Sequence, residues 1–103
     1  MAIIEYVLPL GERARKRHYH ETRRGRVVSF VVQLEVELRG VWLPVVRYDM
    51  AHGQAHVDLY ETPRRKTKQF LELSPADAMT LADEDIRENW ETYQQEFVRR
   101  NQG

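Results

Sequence analysis

Two histidines, two aspartates and an arginine crowd into RYDMAHGQAHVD, residues 47–58. Imidazole and carboxylate groups within a few ångström of each other can serve acid–base catalysis or an open divalent-metal site. Arg47, Asp49, His56 and Asp58 are therefore the candidate catalytic residues, and His56 and Asp49 the candidate metal ligands. His18, His20, Ser29 and His52 are candidate binding groups. A structural reading competes: opposite charges facing each other across two strands stabilise by about 0.2–1 kcal/mol per pair and fix the register. His52 and His56 are four apart around a glycine, in a hairpin, so the helical His-x-x-x-His argument for zinc does not apply. Ser29 lacks the glycine elbow of a nucleophilic serine. No phosphate loop, dinucleotide fingerprint or zinc-finger spacing is present.

The elements that must position these groups follow from periodicity. RVVSFVVQLEVEL, residues 26–38, alternates with period two, which predicts a strand with Val28, Phe30, Val32, Leu34, Val36 and Leu38 on one face. Gly40 suits the left-handed position after a type I turn, and residues 41–50 read as the returning strand. Pro44 cannot donate to a ladder and needs an unpaired position or a bulge. Residues 55–60 make the next strand, TPRR a turn, and residues 66–71 a short strand. KRHYHET enters the sheet ahead of these, and IIEYVL is a further strand or an edge cover.

A two-residue His52-Gly53 loop sets Asp49 opposite His56 and Arg47 opposite Asp58, with Val46, Tyr48, Val57 and Leu59 on the core face. A glycine bulge at Gly40 sets Val32 opposite Val46, Phe30 opposite Tyr48 and Ser29 opposite Asp49. A two-residue Arg24-Gly25 loop sets His20 opposite Ser29 and His18 opposite Val31, with Tyr19 turned inward; a bulged loop reverses this. One face then collects two rows, His20–Ser29–Asp49–His56 and His18–Val31–Arg47–Asp58.

The period changes after residue 73. Ser74, Pro75 and Asp77 form a helix start, and Met79, Ala82, Ile86, Trp90, Tyr93 and Phe97 recur at steps of three and four. One helix over 75–99 is expected, with a break near Asp83 as the alternative. Trp90 and Phe97 should bury against Phe30, Val32, Val46 or Tyr48. The fold class is α+β: an antiparallel meander of four to six strands over residues 18–72, with one long helix on one face, in a single domain spanning 1–103.

One helix covers one face of a sheet, so this register leaves Val27, Val31, Val41, Leu43, Val45 and Tyr60 as an apolar patch on the other. Either IIEYVLPL or a second subunit must cover it, which points to a homodimer. Formal charge is zero, but residues 1–76 carry net +4 and residues 77–103 net −4. That split suits attraction between sheet and helix better than a nucleic-acid groove, although a protein or RNA partner stays open. There is no cysteine and no membrane-length apolar run, and residues 1–20 are not expected to act as a secretory leader. The expectation is a cytoplasmic interaction module without a cofactor; the alternative is a small hydrolase or nuclease with a divalent metal on the His/Asp row.

VVQLEVEL, VVRYDMAHGQAHVDLY and DIRENWETYQQEF together resemble a group of small prokaryotic proteins classed as a domain of unknown function. Their Arg-Tyr-Asp-x-Ala-His-Gly-x-x-His-x-Asp motif falls on Arg47, Tyr48, Asp49, Ala51, His52, Gly53, His56 and Asp58. The resemblance spans roughly residues 18–98 and implies the same boundaries and site residues, but no reaction. Some small proteins of this kind sit in toxin–antitoxin-like gene pairs.

Overall fold

The computed structural model describes residues 1–51 and 53–102. Six antiparallel strands follow chain order across one sheet: β1 (Ala2–Gly11), β2 (Ala14–Arg23), β3 (Arg26–Leu38), β4 (Val41–Ala51), β5 (Gln54–Thr62) and β6 (Arg65–Phe70). One helix, α1 (Pro75–Arg100), lies across one face. The fold is the expected α+β meander, but its sheet begins at Ala2 and not at residue 18. IIEYVLPL is the edge strand β1, paired with β2, and does not fold over the face away from the helix.

Tight turns make the meander possible. Arg24 and Gly25 both have positive φ (51° and 77°), as do Arg39 and Gly40 (55° and 81°). These are the type I′ torsions whose twist matches paired strands. The second turn is thus not a type I turn with a bulge at Gly40: Leu38 pairs directly with Val41. The bulge lies further along, where Leu34 faces Val46 and Glu35 faces Pro44, leaving Val45 without a partner. Pro44, which has no N–H to give, accounts for the break falling there. The β3–β4 register is displaced by two residues from expectation: Val31, not Ser29, faces Asp49, and Val32, not Phe30, faces Tyr48. A shift of two preserves the faces.

The β2–β3 hairpin departs in the way that matters. Its Arg24-Gly25 loop is as expected, with Arg23 opposite Arg26. Val28 then bulges out between Val27 and Ser29, so Glu21 faces Ser29, His20 faces Phe30 and His18 faces Val32. One extra residue in a period-two ladder turns every later side chain over. Both histidines therefore point to the helix side and Tyr19 to the other, the reverse of the expectation.

The core is the helix side of β3 and β4, with Phe30, Val32, Leu34, Val36, Val45, Val46 and Tyr48 buried under Ala78, Ala82, Ile86 and Phe97. Ala78 and Ala82 let the helix approach closely. Ser74 caps α1: its side chain accepts from the Asp77 N–H at 3.2 Å, and Pro75 starts the first turn. The helix runs unbroken to the Asn101 cap, whose amide donates to the carbonyl oxygens of Phe97 (2.8 Å) and Glu61 (3.1 Å), tying the helix end to β5. Trp90 is half-buried and lies against the first hairpin: a Cβ on Gly11 would stand 2.7 Å from the ring.

The apolar patch expected on the far face is not there. Val45 belongs to the core, and Val27, Leu43 and Tyr60 pack against it. The longest run of exposed apolar residues is on β1, with Ile3, Ile4, Tyr6, Val7 and Leu8, while Val28, Val41, Leu59, Phe70, Leu73 and Leu81 are exposed singly elsewhere.

Candidate functional site

The β4–β5 hairpin pairs as expected, with Asp49 opposite His56 and Arg47 opposite Asp58. Extended across the sheet, the two rows read Tyr19–Val31–Asp49–His56–Phe70 and Arg17–Gln33–Arg47–Asp58–Lys68. The structure thus brings Arg47, Asp49, His56 and Asp58 together on the face away from α1. It does not bring His18, His20 or Ser29 to them. His18 and His20 lie on the helix side, and Ser29 faces Glu21. His52 lies outside the described residues.

Although the four residues face one another across strands, the charge contacts among them run along strands. Arg47 grips Asp49, two residues on, with Nε and Nη2 on Oδ2 at 2.9 and 2.8 Å, and its Nη1 donates to Gln33 Oε1 at 3.0 Å. His56 Nε2 lies 3.5 Å from Asp58 Oδ2, and Lys66 Nζ donates to that oxygen at 3.3 Å. This hydrogen bond holds Lys66 above the ordinary lysine pKa. His56 and Asp58 are only 3% and 2% exposed, with His56 Nδ1 and Asp58 Oδ1 unpartnered. Phe70 stands edge-on to the His56 ring at 6.1 Å, and neither buried group is open to a substrate in this conformation.

The same face holds a second cluster that periodicity did not single out. Glu35 accepts from Arg15 Nε (2.6 Å), Gln33 Nε2 (2.7 Å) and Arg17 Nε (3.2 Å). Burial pushes the Glu35 carboxyl up, but those three donors outweigh it, and its pKa lies below the usual glutamate value. The Arg15 guanidinium also stacks over Trp42 at 4.0 Å. The signal for this cluster was the alternation of Arg15 and Arg17 against Gln33 and Glu35, which pair only once the Val28 bulge is placed.

On the helix side, His18 Nε2 and His20 Nδ1 are 2.7 Å apart, the Tyr6 ring stacks on His18 at 4.7 Å, and His18 Nδ1 is 3.7 Å from Asp83 Oδ1. Lys16 Nζ donates to the same Asp83 oxygen at 3.1 Å. The tautomer that suits this geometry has His20 Nδ1–H donating to His18 Nε2, and His18 Nδ1–H turned toward Asp83. A third group docks the helix. Asp85 accepts from the Tyr48 hydroxyl (2.7 Å), the Tyr93 hydroxyl (2.8 Å) and Asn89 Nδ2 (2.8 Å). Burial, then the hydrogen bond and charge of Asp85, raises both tyrosine pKa values above the ordinary one, so both hydroxyls stay donors. Tyr48 and Asn89, both in the stretches that carried the resemblance, thus meet at one carboxylate.

Among the described residues, no group of three or more His, Asp or Glu side chains converges as a metal centre requires. Among the described residues, no helix is long and apolar enough to cross a membrane. The fold and these clusters define a small α+β meander protein whose open sheet face is covered by internal ion pairs. The chain belongs to the family described as Domain of unknown function (DUF7718), whose model matches residues 1–103. No curated protein and no solved structure matches it.

Proposed function

We propose that this chain is a non-catalytic, cytoplasmic interaction module that works through the free edge of β1, as a homodimer or by accepting a strand from a protein partner. The observation that carries this reading is the contrast between the two edges of the sheet. β6, RKTKQF, carries Arg65, Lys66 and Lys68, the kind of charge that keeps an edge from pairing. β1, AIIEYVLPLG, has one acid, no base and five exposed large apolar side chains over ten residues. An edge of that length and composition is a template for strand addition. A protein partner fits better than RNA, because Arg15, Arg17, Arg47 and Lys66 already face carboxylates. The test is affinity purification of the tagged chain from its host cells beside Ile4→Lys, which gives β1 the charge that β6 carries. Partner chains, untagged copies included, should be recovered with the wild type and lost with the variant. Equal recovery from both would sink the reading.

A second reading is supported by the unpartnered His56 Nδ1 and Asp58 Oδ1: a divalent metal on the His56–Asp58 pair, with Asp49 beside it, in a small hydrolase or nuclease. Zinc titrated into the wild type should then release heat, and His56→Ala should abolish that heat. A silent wild-type titration removes this reading.

A further inference from the structure

We infer that the strand completing the β1 edge is β1 of a second copy, antiparallel about a two-fold axis at Tyr6. This rests on the reading of β1 as an interaction edge and adds the identity and register of its occupant. In a continuous antiparallel sheet, opposing residues point to the same face, so a symmetric β1–β1′ pair must centre on a residue. A centre at Glu5 sets the two carboxylates directly opposite, which is destabilising. A centre at Ile4 leaves only residues 2–6 paired, and a centre at Val7 sets Glu5 opposite Pro9′ and so nearest Arg15′, which Glu35 and Trp42 already hold. A centre at Tyr6 pairs residues 2–10 and sets Ile4 against Leu8′, two exposed apolar side chains on one face.

Charge complementarity favours this register and a copy of the same chain. With the axis at Tyr6, Glu5 lies opposite Val7′, and Val7 is the strand partner of Arg17 within each chain. Glu5 and Arg17′ then sit on one face, two strands apart, about 10 Å between Cα atoms, a span that a glutamate and an arginine bridge together. Arg17 is accessible for this: its side chain is 43% exposed and meets Glu35 through Nε. The symmetric contact forms twice. Tyr6 is held ready at the axis, stacked on His18, with the Lys16 ammonium 5.7 Å from its ring.

The chain has no cysteine, so single-cysteine variants give a clean test. The wild type should sediment as a dimer at about 100 µM, well above the micromolar end of interfaces of ordinary size. Tyr6→Cys, checked for folding by circular dichroism, should oxidise to a covalent dimer, because the two Cβ atoms face each other at about 5 Å. Ile3→Cys should not, its symmetry mate lying about 20 Å along the strand. Val7→Glu sets the introduced carboxylate against Glu5′ twice while gaining Arg17 as a neighbour within its own chain. It should weaken the dimer about tenfold without unfolding the monomer. Adding Glu5→Lys should restore the dimer, a readout that does not depend on Tyr6→Cys folding. Cross-linking through Glu5→Cys in place of Tyr6→Cys overturns the register. A monomeric wild type overturns the second copy as occupant. The interaction-edge reading survives that result only if capture sensitive to Ile4→Lys persists, so the two failures are distinguishable.

Discussion

His18 is the residue whose surroundings set a measurable pH response. Burial lowers its pKa; Asp83 opposes this, and the nearby His20 and Lys16 lower it further. Tyr6 covers its ring. A histidine with a depressed folded pKa is neutral in both states above about pH 6.5. Below that, the unfolded chain takes up the proton more readily than the folded one. The sign follows: stability is fully present above pH 6.5 and is lost as pH falls toward the folded pKa, by up to about 1.4 kcal/mol per pH unit. Glu35 acts in a separate window, because its depressed pKa adds stability above the ordinary value of 4.5 that is lost only below it. Urea denaturation at pH 7.5, 6.5 and 5.5 should show the wild type weakening across this range. His18→Phe, which keeps a ring against Tyr6, should flatten the response. Parallel profiles for the two proteins would remove His18 as the cause.

At the scale of elements, legibility in the sequence tracks local chemistry. The helix was legible to within a residue at each end, because Ser74, Pro75 and the three-and-four spacing from Met79 to Phe97 are local signals. The β4–β5 pairing was legible because a two-residue turn leaves a single register that keeps Val46, Tyr48 and Val57 on one face. Bulges were not. Val28 and Val45 are ordinary strand residues, and nothing in their types shows that the ladder skips them. Pro44 warned of a break near the second of these. Each bulge changed where residues fall: Val28 carries His18 and His20 away from the His56 row, and Val45 removes the apolar far face expected from the sequence. Trp90 was legible as a packed residue but not as the neighbour of Gly11, since that contact joins the start of the chain to the middle of the helix. Candidate site residues fared likewise. The four on one hairpin came together, whereas those that needed a longer register did not.

The whole molecule is a sheet whose stability should grade from its centre to its edges, and amide exchange reads that gradient. β3 lies between β2 and β4 and carries Phe30, Val32, Leu34 and Val36, all fully buried beneath α1. Opening it requires the core to open, so its amides should exchange only at the global unfolding free energy. The two edge strands lack that cover. All six residues of β6 and nine of the ten in β1 are exposed, and each strand is hydrogen-bonded to a single neighbour. Edge amides with few buried contacts open at a small fraction of the global cost. In dilute protein β1 and β6 should therefore exchange fastest and β3 slowest. The edges should then diverge on concentration. The lysines of β6 keep it unpaired at any concentration, so its rates should hold constant. β1 should slow as copies associate through it, by mass action. Hydrogen exchange with mass-spectrometric readout at two concentrations separates these outcomes. Equal, concentration-independent rates for β1 and β6 would leave β1 no more adhesive than the edge that charge protects.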